Sequence, residues 1–352
     1  MVSRILYACM LFVVWVTPAA AQTTLNPDIS LVGDIRAFEI NDPAFPELHD
    51  RLNLDLSGLE LVVGGYLNPY ARADIVFGWE GEDNAEIEEA YATFLRGLPL
   101  DANVRVGQYL LEFGHLNPNH PHVYSFIHRP LPHEEFFGEE GLRDLAVRAA
   151  FLLPTGSMFT ELQFAVLQGG TLPAPEPDSL TPEPEPEKLG YFGRLGASVA
   201  TSDYGELAFG VSGVTSRYDP LQKLSAWVAG ADVKYKWKPG RNTSLQIESE
   251  LLLNRHEDSS GGSWDSWGAY GYLDYRFRQR FNVGAIAEWT EGAFDSGFSA
   301  TRTGLFLGFA PVEETSVLRL AGDWTKPETE DGYWSLTLQL VFGLGPHQPH
   351  TF

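Results

Sequence analysis

From residue 29 onward the chain repeats one unit, a run of alternating apolar and polar residues followed by a turn. Alternation of period two puts every second side chain on the same face of an extended strand. In 225–237, Trp227, Ala229, Ala231, Val233, Tyr235 and Trp237 share one face, and Gly230, Asp232, Lys234 and Lys236 share the other. In 244–254, Leu245, Ile247, Leu251 and Leu253 oppose Gln246, Glu248, Glu250 and Asn254. In 267–278, Trp267, Ala269, Leu273, Tyr275 and Phe277 oppose Tyr270, Tyr272, Asp274, Arg276 and Arg278. In 333–342, Trp334, Leu336, Leu338, Leu340 and Phe342 oppose Ser335, Thr337 and Gln339. The pattern predicts strands over 29–40, 52–67, 70–80, 84–96, 102–113, 142–153, 157–169, 189–201, 204–217, 223–237, 242–255, 264–278, 281–291, 299–310, 315–326 and 332–343.

Two features separate this pattern from a soluble sandwich. The apolar face often begins and ends with an aromatic residue. Trp227 and Trp237 are ten residues apart, as are Trp267 and Phe277. That spacing is ~33 Å of strand, and tilted by about 40° it spans ~25 Å, the height of the apolar band of an outer-membrane barrel. The other face carries charges of both signs in mid-strand, which a sandwich core would exclude and a water-filled lumen accepts. About sixteen strands is an even number, as a closed antiparallel barrel of a single bacterial chain requires. Alternate connectors are short and turn-like, such as Leu67-Asn68-Pro69-Tyr70, Leu153-Pro154-Thr155-Gly156 and Ser202-Asp203-Tyr204-Gly205. The others, 114–141, 170–188, 256–263, 291–298 and 326–332, are longer and fall together at the outer end. The fold expected is all-β: a transmembrane antiparallel up-and-down barrel in the bacterial outer membrane.

Composition agrees with this architecture. Residues 1–21 read as a secretory signal: Arg4, then an apolar run from Ile5 to Val16, then Ala19-Ala20-Ala21. The barrel is expected to occupy 22–352. Cys9 is the sole cysteine and falls within the leader, so no disulfide is expected in the exported chain. The formal net charge of −23 leaves no basic face for nucleic acid. The connector 170–188 alternates Pro and Glu, cannot bury enough apolar area to order itself, and reads as an extended outer loop.

Three successive runs carry a family resemblance. LELVVGGYLNPYARADIVFGW is followed by EIEEAYATFLRG and then by VRVGQYLLEFGHLNPNHPH. Glu88-Glu89-Ala90-Tyr91, and Val106-Gly107 with Phe113-Gly114, resemble bacterial outer-membrane porins of the phosphate-selective O/P type and their relatives. The resemblance is sharp over 27–153 and architectural beyond. It implies passive diffusion of small hydrophilic solutes or ions, and it leaves a homotrimer open. Outer-membrane lipid and the solutes are the expected partners. The chain departs from the usual pattern at its end. Gly343 to Thr351 separate the last strand from Phe352, so Phe342 is expected to serve as the strand-ending aromatic.

Five of the nine histidines lie in 114–141: His115, His120, His122, His128 and His133. In sixteen-stranded porins the connector after the fifth strand folds inward and narrows the pore, and the resemblance gives that role to this segment. Tyr124, Phe126, Phe136 and Phe137 would pack on the wall, with the histidines and Arg129 facing water, and Glu134 and Glu135 also belong to the constriction. His120 and His122 share one side of an extended segment and are the pair suited to zinc, with His128, His133, His347 or His350 completing a site. No resident cofactor is otherwise expected. The alternative reading is a non-conducting barrel with a zinc-linked or hydrolytic role, in which Ser125 would use His122 or His128 as base. No G-x-S-x-G elbow accompanies Ser125. Alternation also turns Arg36, Arg105, Arg148, Arg194, Arg276, Arg302 and Arg319 inward, with Asp34, Glu60, Asp232, Glu248, Glu250, Asp274, Glu288 and Asp323 among the inward acids. Such charges either set a transverse field for solutes or brace the wall as cross-strand pairs.

Overall fold

Each alternating segment pairs with its neighbours in sequence, and the last pairs back onto the first. The computed structural model describes residues 27–79, 85–169, 172–173, 188–219, 223–257, 261–294, 297–312 and 315–345. The leader 1–21, most of the connector 170–188, and the tail bearing His347, His350 and Phe352 lie outside the described residues. The sixteen strands are Asp28–Ile40 (β1), Asn53–Asn68 (β2), Ala71–Trp79 (β3), Glu86–Phe94 (β4), Asn103–Leu110 (β5), Arg143–Leu152 (β6), Phe159–Leu167 (β7), Gly190–Ser202 (β8), Gly205–Asp219 (β9), Leu224–Gly240 (β10), Thr243–Glu257 (β11), Ser263–Phe277 (β12), Phe281–Glu291 (β13), Ser299–Val312 (β14), Ser316–Pro327 (β15) and Tyr333–Leu344 (β16). All pairings are antiparallel, and β1 closes on β16 from Leu31–Leu344 to Ile40–Ser335. Closure removes the two edges that hydrocarbon would leave unsatisfied. Expected and observed strand ends agree within three residues. The β1–β2 connector, 41–52, lies at the same end as the long connectors.

The outward face is an apolar belt that includes Val147, Leu251, Leu305, Leu307, Leu336 and Leu338, all exposed. Aromatics rim it at both ends. At the long-loop end the Trp267 and Trp289 rings lie 3.9 Å apart, and Trp324 is paired with Trp334 across β15 and β16. At the short-turn end Tyr275, Phe277, Phe281 and Phe309 form a stacked row, with centroids 4.9–6.1 Å apart. Amphipathic and aromatic rings favour the two membrane–water interfaces. Phe342 pairs with Gly33 across the closing seam, inside β16 rather than at its end.

The β5–β6 connector turns into the barrel. It contains a short helix, Leu131–Phe137 (α1), where alternation alone suggested no helix. Pro132 is tolerated there because the first turn of a helix has no partner for its N–H.

The connector rests on one tier of the inner wall. The register aligns Asp232, Glu250, Tyr270, Glu288 and Arg302 side by side across β10 to β14. Four of these five hold the loop. The Glu250 carboxylate accepts from the backbone N–H groups of His115 (2.7 Å) and Leu116 (3.3 Å) and from His133 Nε2 (2.8 Å). Glu288 accepts from the Leu131 N–H at 2.7 Å, and Arg302 donates to the Arg129 carbonyl at 2.5 Å. Asp232 lies 3.0 Å from His115 Nε2 and is itself bonded by Arg194.

The adjacent tier is Gly230, Leu252 and Gly268. A Cβ on Gly230 would stand 2.5 Å from the Phe113 ring, and one on Gly268 would stand 2.6 Å from Pro132. These glycines are therefore the seats on which the loop approaches the wall.

Two apolar clusters complete the seating. Phe113, Phe136, Phe137 and Leu142 pack with Phe192, Val214, Val228 and Leu252. Leu116, Tyr124, Phe126 and Ile127 pack with Tyr270, Tyr272, Ile286 and Phe306. The lumen is thus partly apolar. Its apolar patches lie where the loop covers them.

Removing the acceptor of a buried donor leaves that donor unsatisfied, at a cost of about 1–3 kcal/mol. Glu250→Ala is therefore expected to release the loop, with amides of 113–137 exchanging at least tenfold faster by hydrogen-exchange mass spectrometry and the strands keeping their protection. Arg255→Ala, which removes an exposed pair with Asp265, is expected to leave that exchange unchanged. Gly230→Val is expected to accelerate exchange over 111–117 by displacing the Phe113 ring.

Candidate functional site

Across the lumen from the shelf, the loop reaches β2 and β4. Two adjacent glutamates of β4 both point at it. Their common direction comes from a β-bulge: Val76 pairs with Glu89 and Phe77 with Ile87, so Glu88 is an inserted residue. A bulge re-aims a side chain that strict alternation would send to the other face. The Glu88 carboxylate then lies over Gly78, where a Cβ would stand 1.7 Å from Oε1.

His120 sits at the focus of these groups. Its Nε2–H donates to Glu89 Oε1 at 2.8 Å. Its Nδ1 lies 3.4 Å from Glu60 Oε1 and 3.3 Å from Glu88 Oε2. His122 stacks on His120, with centroids 5.9 Å apart, and its Nδ1–H donates to Glu60 Oε1 at 3.0 Å. Burial disfavours the His120 imidazolium, but Glu60, Glu89 and Glu88 together outweigh it and raise its pKa to about 9. Among the described residues, the groups that converge on the expected pair are therefore wall carboxylates and not further histidines. His133 is fully buried against Glu250, and His128 lies 3.8 Å from Asp323. His128 moves the other way, down to about 3, through burial and the nearby Arg302 and Arg36 cations.

Of the remaining loop residues, Arg129 is less water-facing than expected: it is buried and donates through Nε to the Glu139 carbonyl of its own loop. Glu135 accepts from the Ala293 N–H at 2.8 Å, and Glu134 lies 3.7 Å from Arg302. Burial raises the Glu134 pKa, with Arg302 opposing. Ser125 donates to Asp274 Oδ2 at 2.9 Å, while His122 is engaged with Glu60, so Ser125 is bonded to neither expected base.

The inward charges occur largely as pairs. Arg302 is bonded to Glu288, Arg194 to Asp232 and Arg36 to Asp34. Arg105 and Arg148 converge on Glu112, and Arg319 bridges Gln339 and the His122 carbonyl. Arg276 differs: it faces a cavity of about 500 Å³ at the short-turn end. His115, Asn119, His122, Tyr124 and Ser125 of the loop form part of its lining. Among the described residues its cations are Lys234, Lys236, Lys238, Arg241, Arg276, Arg280 and Arg319, against the acids Glu248 and Asp274. Lys234 lies 3.3 Å from Glu248. Lys234 and Lys236 were visible in the alternation, but their convergence with Lys238 and with residues of β12 and β15 was not.

No family model matches the chain. An uncharacterized protein of Aquifex aeolicus (strain VF5) is 34% identical over 170 residues, covering 42% of this chain and 35% of that protein. The chain thus matches only about a third of that relative's length. Among solved structures, an anion-selective porin from Comamonas acidovorans superposes with a TM-score of 0.63 at 10% identity, covering 91% of this chain and 99% of that one. The outer-membrane channel DcaP of Acinetobacter baumannii gives 0.62 at 12% identity, covering 92% and 99%. A loop-deletion mutant of OmpT, an outer-membrane protein of Vibrio cholerae, gives 0.60 at 9% identity, covering 91% and 99%. With its closed antiparallel ladder, lipid-facing apolar belt and aromatic rims, the chain is an outer-membrane β-barrel of the sixteen-stranded porin fold.

Proposed function

We propose that this barrel is a passive channel for small hydrophilic solutes whose aperture is set by the inward loop, with anionic solutes preferred. The observation that supports the aperture role most directly is the reach of the loop. It is held on the β10–β14 shelf and also bonded to Glu60 of β2 and Glu89 of β4. A segment anchored to both sides of a lumen controls what passes it, and backbone at membrane depth is tolerated where it lines such a cavity.

The preference for anions rests on the cavity below the loop, whose lining among the described residues holds seven cations and two acids. Fixed cations in a narrow lumen attract permeating anions and repel cations. Small solutes bearing carboxylate or phosphate suit that charge. The resemblance of Glu88-Glu89-Ala90-Tyr91 and Val106-Gly107 to phosphate-selective O/P-type porins points the same way. So does the description of the Comamonas acidovorans protein as anion-selective.

Planar-bilayer recording tests both parts. Discrete conductance steps are expected for the intact chain, with a several-fold larger step on deletion of 117–133. Absence of steps in both proteins would overturn the channel reading. Across a salt gradient the reversal potential is expected to report anion preference. Lys234→Glu with Lys236→Glu and Lys238→Glu is expected to move it toward cations, and an unmoved potential would remove the cavity from the selectivity argument.

A further inference from the structure

The cluster around His120 has a geometry that ion pairing alone does not require. Its Nε2–H is committed to Glu89 at 2.8 Å, a normal charge-assisted distance. A metal ion that displaces the Nδ1 proton would find that nitrogen's lone pair directed toward two carboxylates. The separations there, 3.3 Å to Glu88 and 3.4 Å to Glu60, are longer than a charge-assisted hydrogen bond. They match the edge of a tetrahedron around a zinc-type ion, roughly 3.3–3.5 Å for metal–ligand bonds of about 2.0–2.2 Å. The three donor atoms lie within 4.8 Å of one another and come from β2, β4 and the loop.

The supporting contacts follow the same logic. A metal-bound histidine usually donates its second ring N–H to a carboxylate, which fixes the ring and raises its basicity. Glu89 occupies that position for His120. His122 does the corresponding job for a carboxylate, donating to Glu60 Oε1 at 3.0 Å. The bulge in β4 is what makes this possible, because it turns Glu88 and Glu89 to opposite nitrogens of one imidazole.

We propose that Glu60, Glu88 and His120 bind one divalent cation of the zinc type, with a fourth position open to water, and that the ion ties the inward loop to β2 and β4. The mixed nitrogen and oxygen donor set favours Zn²⁺ over Mg²⁺, which prefers oxygen ligands and keeps its water. The site is independent of whether the barrel conducts, so its test reads binding and not current.

Equilibrium dialysis of the purified full-length barrel in detergent against zinc sulfate is the experiment, with heat-modifiable gel mobility confirming that each variant is folded. One Zn²⁺ per chain is expected, undisplaced by an equal concentration of Mg²⁺. His120→Ala and Glu88→Gln are each expected to weaken binding by at least tenfold. Glu89→Gln is expected to weaken it by about 10–100-fold through loss of the supporting contact. Gly78→Ala changes no ligand, yet it drives Glu88 from its position and is expected to weaken binding as well. His49→Ala, in the β1–β2 connector, controls for adventitious histidine binding and is expected to change nothing. Co²⁺ in place of Zn²⁺ is expected to give the intense visible bands of a four-coordinate site. No saturable binding, binding that survives both His120→Ala and Glu88→Gln, or ready displacement by Mg²⁺ would overturn the proposal and leave a proton-bridged histidine–carboxylate contact.

Discussion

A backbone that cannot reach bulk water must find its hydrogen bonds in the protein, and this chain meets that demand twice. In the wall, sixteen strands satisfy one another and closure leaves no edge. Inside the lumen, the β5–β6 connector is irregular and cannot satisfy itself by a ladder. The wall supplies partners instead. Glu250 takes two loop N–H groups, Glu288 takes a third, and Arg302 and Arg319 donate to loop carbonyls. At the neck, buried Asn117 does the same work. It donates to the carbonyls of Leu111 and Leu142 and accepts from the Leu142 N–H. Charged wall residues that look like solute contacts are thus, in good part, the fixtures of the loop.

The loop is held differently around the circumference. Along β6 to β15 it is seated by aromatic and aliphatic contacts, which are strong and non-directional. Toward β2 and β4 its contacts are histidine–carboxylate pairs, which respond to ions and to protonation. Histidine–carboxylate contacts occur on the apolar-seated side as well, at His115–Asp232 and His133–Glu250, so the loop carries polar fixtures on both sides. The cavity at the short-turn end adds a local excess of cations to a chain whose overall charge is −23. Net charge therefore says little about the potential that a solute in the lumen would meet.

Strand positions, strand number and the inward or outward sense of most side chains were legible in the sequence, because a period of two has a direct geometric meaning. Trp227, Trp267 and Leu338 could be placed on the lipid face, and Glu250, Glu288 and Arg302 in the lumen, from alternation alone. Height along the barrel was not legible. That Asp232, Glu250, Glu288 and Arg302 form one shelf depends on the register of four successive pairings, and register is a property of strand pairs. Nor was the direction of Glu88, since the bulge breaks the alternation that the reading relied on. His133 and Arg129 looked water-facing because polarity was the only cue, and the buried partners that satisfy them lie far away in sequence or in the fold of the loop itself.

By itself, then, the sequence determined an alternating, turn-punctuated chain that closes as an outer-membrane barrel, with a histidine-rich connector after its fifth strand. Local period and local turn chemistry carry that much information. Only the tertiary structure decided that this connector lies on a charged shelf, that Gly230 and Gly268 are its seats, and that Glu60, Glu88 and Glu89 meet His120. Those contacts join β2, β4 and β10 to β14 through the interior. Their geometry exists only once the barrel has closed and brought opposite walls within reach of one loop.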